Sequence, residues 1–157
     1  MKERLKQLYK SVILAHSKAP YNYEKVDNQE EVEAYNPLCG DRFILYLDIK
    51  DGRIDKLHFH GHGCAISKAS TSILVKHLEH KTIAEALALC ANFEQITQTN
   101  TATPVVILEE DFEAFEAAKD FPGRLKCATL SWEAVKEVLQ KKEVRSQTEK
   151  FIFRSDF

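Results

Sequence analysis

The order of apolar and polar positions divides the chain into three regimes. Leu5, Leu8, Tyr9, Val12 and Ile13 recur at steps of three and four residues, which makes one face of an N-terminal helix apolar and ends it near His16. Ser17 to Asn28, with Pro20 and two asparagines, reads as a loop. From Glu31 to His60 the period drops to two. Glu31 to Tyr35 is a short strand candidate; Phe43, Leu45 and Leu47 alternate with Ile44, Tyr46 and Asp48; and Ile54, Lys56, His58 and His60 alternate with Asp55, Leu57 and Phe59. Asp51-Gly52 between the last two runs is a hairpin signal, because both residues tolerate the positive φ of a tight primed turn. The pattern predicts three antiparallel strands.

Helical spacing returns at Cys64 and holds to Thr97. Ile66, Ala69, Ser70, Ile73, Leu74 and His77 lie on one stripe, and Thr82 with Glu85 forms a capping box before Ile83, Ala86, Leu87, Cys90 and Phe93. Gln98 to Pro104 is polar and threonine-rich, hence a loop, and Val105 to Leu108 is a short apolar run. Leu108 to Lys119 predicts a short acidic helix with Phe112 and Phe115 turned inward, broken by Phe121-Pro122-Gly123. A last helix carries Leu130, Ala134, Val135, Val138 and Leu139. The fold class is α+β, a three-stranded antiparallel sheet packed with about five helices. It forms one domain over residues 1–140, with a polar C-terminal tail over 141–157 whose Phe151, Ile152, Phe153 and Phe157 can dock on the domain or on a second copy.

Charge and composition narrow the function. A chain of 157 residues with a formal net charge of -2 has no basic field to attract nucleic acid or anionic lipid. No apolar run approaches the roughly 18 residues of a membrane span, and Met1-Lys2-Glu3-Arg4-Leu5 lacks the apolar core of a signal peptide, so a cytoplasmic protein is expected. In a reducing compartment, the dispersed Cys39, Cys64, Cys90 and Cys127 are metal ligands, reactive thiols or core residues rather than disulfides. The absence of any Cys-x-x-Cys argues against zinc ribbons, thioredoxin-type redox sites and zinc deaminases.

The chemistry concentrates at element boundaries. In Gly61-His62-Gly63-Cys64-Ala65-Ile66-Ser67 a strand ends, two glycines bend the backbone and a helix starts at a cysteine. A thiol there meets orphan backbone N–H groups and the positive end of the helix dipole, which favour the thiolate. Asn36-Pro37-Leu38-Cys39-Gly40-Asp41 puts a thiol and a carboxylate on a tight turn, and Cys127 stands near a second helix start. Cys90, between Ala88-Leu89 and Ala91 on an apolar stripe, belongs to the core. Three sulfurs and one oxygen, from Cys39, Asp41, Cys64 and Cys127, suit zinc or a cluster held by three thiolates. The intervals of 25 and 63 residues between these cysteines match no short zinc motif, so spacing leaves open whether they form a metal centre or are unrelated. His58 and His60 share a strand face next to His62, either as a histidine site or as polar decoration, and Lys126 either guides an anionic sulfur or is simply solvated. A cysteine-nucleophile hydrolase would need a histidine base with an orienting partner, and none is recognisable beside His62.

Three ordered motifs carry a resemblance: Asn36-Pro37-Leu38-Cys39-Gly40-Asp41, then Gly61 to Ser70, then Arg124-Leu125-Lys126-Cys127-Ala128-Thr129-Leu130-Ser131-Trp132. Over Leu5 to Leu139 the chain resembles the IscU/NifU-N-terminal family of iron–sulfur cluster assembly proteins. The resemblance implies a site of three cysteines and an aspartate, which falls on Cys39, Asp41, Cys64 and Cys127. Lys126 stands where IscU-type scaffolds have a histidine, and Asp120 to Arg124 replaces their Leu-Pro-Pro-Val-Lys chaperone segment. Together with the long interval between Cys64 and Cys127, these departures are similar to the SufU branch. That branch implies a zinc-dependent, sulfurtransferase-like acceptor rather than a stand-alone enzyme. It takes persulfide sulfur on Cys39 from a PLP-dependent cysteine desulfurase and passes it to downstream assembly proteins. The alternative is a scaffold on which iron and sulfur form a transient [2Fe–2S] cluster on the same residues.

Overall fold

The alternation between Glu30 and His62 becomes three strands, β1 (Glu30–Asn36), β2 (Asp41–Lys50) and β3 (Arg53–His62). They form an antiparallel sheet in the order β1-β2-β3. The computed structural model describes residues 2–98 and 106–155, with backbone alone for Lys2 and 146–155. The β2–β3 turn is tight, with Asp51 and Gly52 at φ of 54° and 73° as the hairpin signal requires. One face of the sheet is apolar and buried: Val32 and Ala34 of β1, Phe43, Leu45 and Leu47 of β2, and Ile54, Leu57 and Phe59 of β3. Strict alternation would send Ile54 to the face opposite Leu57. A register shift between Asp48 and Ile49 inserts the odd residue that brings both inward. The inward stripe of β2 therefore reads, from its open end, Asp41, Phe43, Leu45, Leu47, and the apolar face runs out into a buried carboxylate.

Helices cover that face. They are α1 (Lys2–Lys18), α2 (Ala65–Leu78), α3 (Ile83–Thr97), the single turn α4 (Glu110–Glu113) and the long α5 (Leu125–Ser155). α3 opens on the expected capping box between Thr82 and Glu85. The core continues between the helices, where Phe93 stacks on Trp132 at 4.2 Å and Phe112 meets the same indole edge-on at 5.2 Å. Cys90 is buried in this core.

The interface between α2 and α5 is partly polar. The Ser70 hydroxyl donates to the Ala128 carbonyl at 2.5 Å and accepts from Trp132 Nε1 at 3.0 Å, while Thr71 and Ser131 share a hydrogen bond of 2.6 Å. All four of these side chains are buried.

Two elements differ from the sequence expectation. The acidic stretch is α-helical only over α4 and continues as a 3-10 helix over Ala114–Asp120. Phe112, Phe115 and Ala118 fall at steps of three, and all are fully buried. Three residues per turn keeps them on one face, whereas 3.6 would rotate them apart. The last helix does not stop near Leu139, and its backbone continues through Lys141 to Ser155. Docking of Phe151, Ile152, Phe153 and Phe157 concerns side chains outside the described residues. Among the described residues, no helix is long and apolar enough to cross a membrane.

Candidate metal centre

The open end of the sheet brings two strand ends against two helix starts. Asn36 and Asp41 are the last pair of the β1–β2 ladder, and the turn between them carries Cys39. That turn is closed by Gly40 N–H donating to Asn36 O at 2.8 Å and by Leu38 N–H donating to the Asn36 side chain at 3.1 Å. Gly40 takes φ of 72°, a left-handed conformation that side chains disfavour. Cys39 is exposed at this turn and Leu38 beside it is 95% exposed, while Asp41 two residues on is only 3% exposed.

Asp41 joins the pieces. Its Oδ2 accepts from the Cys39 thiol at 3.3 Å, and its Oδ1 accepts from the backbone N–H of Cys64 at 3.1 Å. The two glycines before Cys64 make this approach possible. Gly61, at φ of 147°, crosses so close to β2 that a Cβ would meet Arg42 O at 2.2 Å, and a Cβ on Gly63 would meet Asp41 Oδ1 at 2.9 Å.

Cys64 is the N-cap of α2. Its sulfur accepts from Ser67 N–H at 3.4 Å, so one orphan donor of the helix start is aimed at the thiol, as expected from its position. The Ser67 hydroxyl lies at 3.5 Å from the same sulfur. Sequence reasoning did not single out Ser67, although a serine three residues beyond a capping position was its signal.

Cys127, in the first turn of α5, is buried. Burial pushes its thiol up to about 12, and the neighbouring Cys64, Asp41 and Cys39 add to the rise by their negative charge. Ligand atoms of Cys39, Asp41 and Cys127 all lie within 4.8 Å of one another. Cys64 is tied to Asp41 through its backbone N–H but its side chain stands outside that compact triad. The structure thus gathers all four expected residues at one end of the sheet, three of them tightly. No histidine joins the triad: His58 faces Glu24 at 3.8 Å and His60 stacks on Tyr23 at 4.8 Å. Lys126 pairs with Glu133 at 2.5 Å.

This donor set fits a divalent cation of soft character. A tetrahedral zinc with sulfur at about 2.3 Å sets its ligand atoms roughly 3.8 Å apart, and the ligand atoms of Cys39, Asp41 and Cys127 stand in that range, all within 4.8 Å of one another with Cys39 Sγ and Asp41 Oδ2 at 3.3 Å. The chemistry points the same way, since a buried thiol beside a carboxylate and two more thiols cannot ionise without a positive charge among them.

The comparisons agree with the geometry. The model of the NifU-like N terminal domain matches residues 8–128, and the chain belongs to that family. The chain is 35% identical to the iron–sulfur cluster assembly scaffold protein IscU of Streptococcus pyogenes serotype M1, covering 88% of this chain and 86% of that one. It is also 35% identical to the zinc-dependent sulfurtransferase SufU of Bacillus subtilis (strain 168), covering 88% and 94%. A crystal structure from Fervidobacterium islandicum AW-1, described as a candidate scaffold protein for the SUF system, superposes with a TM-score of 0.75 at 31% identity over 85% of this chain and 97% of that one.

Proposed function

We propose that this chain is a zinc-dependent sulfur acceptor in cytoplasmic iron–sulfur cluster assembly, with Cys39, Asp41, Cys64 and Cys127 as the metal ligands. The observation that carries the reading is the contrast within one cluster: Cys39 is exposed on a turn, whereas Asp41 and Cys127 are buried beside it. Bound zinc would supply positive charge that holds the thiols as thiolates. Cys64 and Cys127 sit on helix starts and Asp41 on a strand end, so these three hold position. Cys39 can reach outward.

The donor is a persulfide of the kind a PLP-dependent cysteine desulfurase carries. The Cys39 thiolate attacks its terminal sulfur. One S–S bond forms at Cys39, the S–S bond in the donor breaks, and the donor cysteine leaves as a thiolate, with no net oxidation. The new Cys39 persulfide is then passed to downstream assembly proteins by the same exchange. The equal identity to a protein named as an assembly scaffold supports a second reading, in which the same four residues hold a transient [2Fe–2S] cluster.

One experiment on one preparation separates these readings. Metal content is measured first, and the protein is then incubated with a cysteine desulfurase and cysteine and mapped by mass spectrometry. The sulfur-acceptor reading expects stoichiometric zinc and an added sulfur on the Cys39 peptide, lost in Cys39→Ser but kept in Asp41→Ala, which binds zinc more loosely. An added sulfur on Cys64 or Cys127 that persists in Cys39→Ser refutes the assignment, and a labile iron chromophore without zinc favours the scaffold.

A further inference from the structure

The outer face of α1 carries charge of one sign. Its sequence holds a single acidic residue, Glu3, while Lys6, Lys10, Leu14 and Lys18 recur at four-residue steps and are all exposed. A row at this spacing is one of the ridges that a helix offers to a neighbouring helix. The opposite side of α1, with Leu5, Leu8, Tyr9, Val12 and Ile13, packs on the core. Arg4 of the same helix pairs with Glu113, but among the described residues Lys6, Lys10 and Lys18 take part in no ion pair. A chain with a net charge of -2 thus keeps three unneutralised cations on one helix face.

The ridge borders a groove of about 400 Å³ between α1 and α2. Lys10 and Leu14 belong to both, and Tyr9, Ile13, Ala65 and Ile66 make its walls apolar. Leu14 is 55% exposed there. Ala65 and Ile66 directly follow Cys64, whose backbone N–H donates to Asp41 at 3.1 Å, and the same carboxylate accepts from the Cys39 thiol. A molecule seated in the groove therefore borders the candidate metal centre and its exposed Cys39 turn.

A lipid surface does not match this face. Among the described residues of α1, Leu14 is the one large apolar side chain that is exposed, and a helix lying on a membrane needs a full apolar face rather than a groove. A helix of another protein does match, with an apolar residue to enter the groove beside Leu14 and carboxylates at four-residue spacing to meet the lysines. We propose that the lysine ridge and groove of α1 are the docking site for an acidic amphipathic helix of the protein that delivers sulfur to Cys39. This rests on the sulfur-acceptor reading above and adds where the donor binds and which chemistry recognises it. The lysines speed and orient the encounter, and the groove holds the partner once it has arrived.

The test measures the initial rate at which a cysteine desulfurase loads sulfur onto Cys39, with the concentration of this protein varied at low and at high salt. Wild type is compared with Lys6→Glu/Lys10→Glu/Lys18→Glu, with Leu14→Ser, and with the charge-matched control Lys25→Glu/Lys56→Glu/Lys81→Glu. At low salt the ridge variant is expected to raise KM at least about tenfold with kcat unchanged, and the gap closes at high salt. Leu14→Ser raises KM at both salt levels, and the control stays within about twofold of wild type. Zinc content and melting temperature are expected to match wild type in every variant; should charge reversal unfold the chain, Lys6→Gln/Lys10→Gln/Lys18→Gln takes its place and shifts KM in the same direction. A ridge variant whose KM lies within about twofold of wild type, or a control that raises KM as much, overturns the docking site and leaves the sulfur-acceptor reading standing. Binding of wild type to phosphatidylglycerol-containing vesicles that the ridge variant loses, with KM unmoved, assigns the face to lipid and also overturns it. If no sulfur reaches Cys39 in wild type, the sulfur-acceptor reading falls and this inference with it.

Discussion

Gly63→Ala probes whether Asp41 is held in place by steric exclusion. A Cβ at this position would lie 2.6 Å from Ser67 Oγ, 2.9 Å from Asp41 Oδ1 and 2.9 Å from Phe43 Cε2. Gly63 does not need positive φ, unlike Gly61, so the cost is one of space rather than backbone conformation. The serine hydroxyl can turn away, but Phe43 is fully buried and cannot. Asp41 must then yield, and in moving it loses the hydrogen bond from Cys64 N–H. Overpacking costs about 1–3 kcal/mol, and a hydrogen bond to a charged group contributes about 1.5–3 kcal/mol. The two overlap because moving Asp41 relieves the clash, so the sum is about 2–4 kcal/mol. For a domain of this size that lowers the melting temperature by roughly 5–15 °C. Urea unfolding of metal-free protein at neutral pH isolates this term, and zinc competition on the same variant reads the displaced carboxylate as weaker binding. A change below about 0.5 kcal/mol with wild-type zinc affinity would refute the reasoning.

Two further outcomes are expected. Because deprotonated ligands converge only in the folded chain, a strong chelator should lower the melting temperature of the zinc-loaded protein, by the equivalent of about 4 kcal/mol when free zinc had been a thousandfold above its Kd; an unchanged curve after verified metal removal would sever the link between site and fold. Asp111 accepts from His77 at 2.8 Å and from Lys76 at 3.0 Å, and these bonds hold its carboxyl well below the usual carboxylate range. A depressed carboxylate stabilises the fold above its unfolded value near 4 and ceases to as pH falls toward its folded value. Asp111→Asn should therefore be less stable than wild type by about 1–3 kcal/mol at pH 6, with the gap closing below about pH 4 in a pH series of urea melts; a constant gap would refute the linkage.

The sheet was legible because its signals are local. The alternation of β2, the Asp51-Gly52 turn and the Thr82–Glu85 box each depend on residues a few positions apart, and the structure contains all three. For the candidate centre, the element boundaries marked Cys39, Asp41, Cys64 and Cys127 one by one, and the family resemblance made them a set. The convergence of Cys39, Asp41 and Cys127 to within 4.8 Å could not be read from intervals of 25 and 63 residues between the cysteines. The register shift at Asp48–Ile49 was not legible, since a bulge is set by pairing with another strand. The 3-10 segment was visible only as the strict threefold step of Phe112, Phe115 and Ala118. Tyr9 reads like any apolar stripe position, because nothing within α1 indicates that its ring packs between Phe115 and Phe121, far along the chain.

The polar bonds between α2 and α5 have a mechanical consequence. Two helices joined by methyl groups alone can slip along one another by fractions of a turn at little cost, but Ser70, Thr71, Ser131 and Trp132 accept one axial setting and penalise the rest. Cys64 caps the start of the first of these helices and Cys127 lies in the first turn of the second. One side of the site is thus clamped from inside the fold, and the other is the exposed turn bearing Cys39. On the zinc reading proposed above, a change in ion size or in the number of sulfurs held would fall on that exposed turn rather than on the two helix starts.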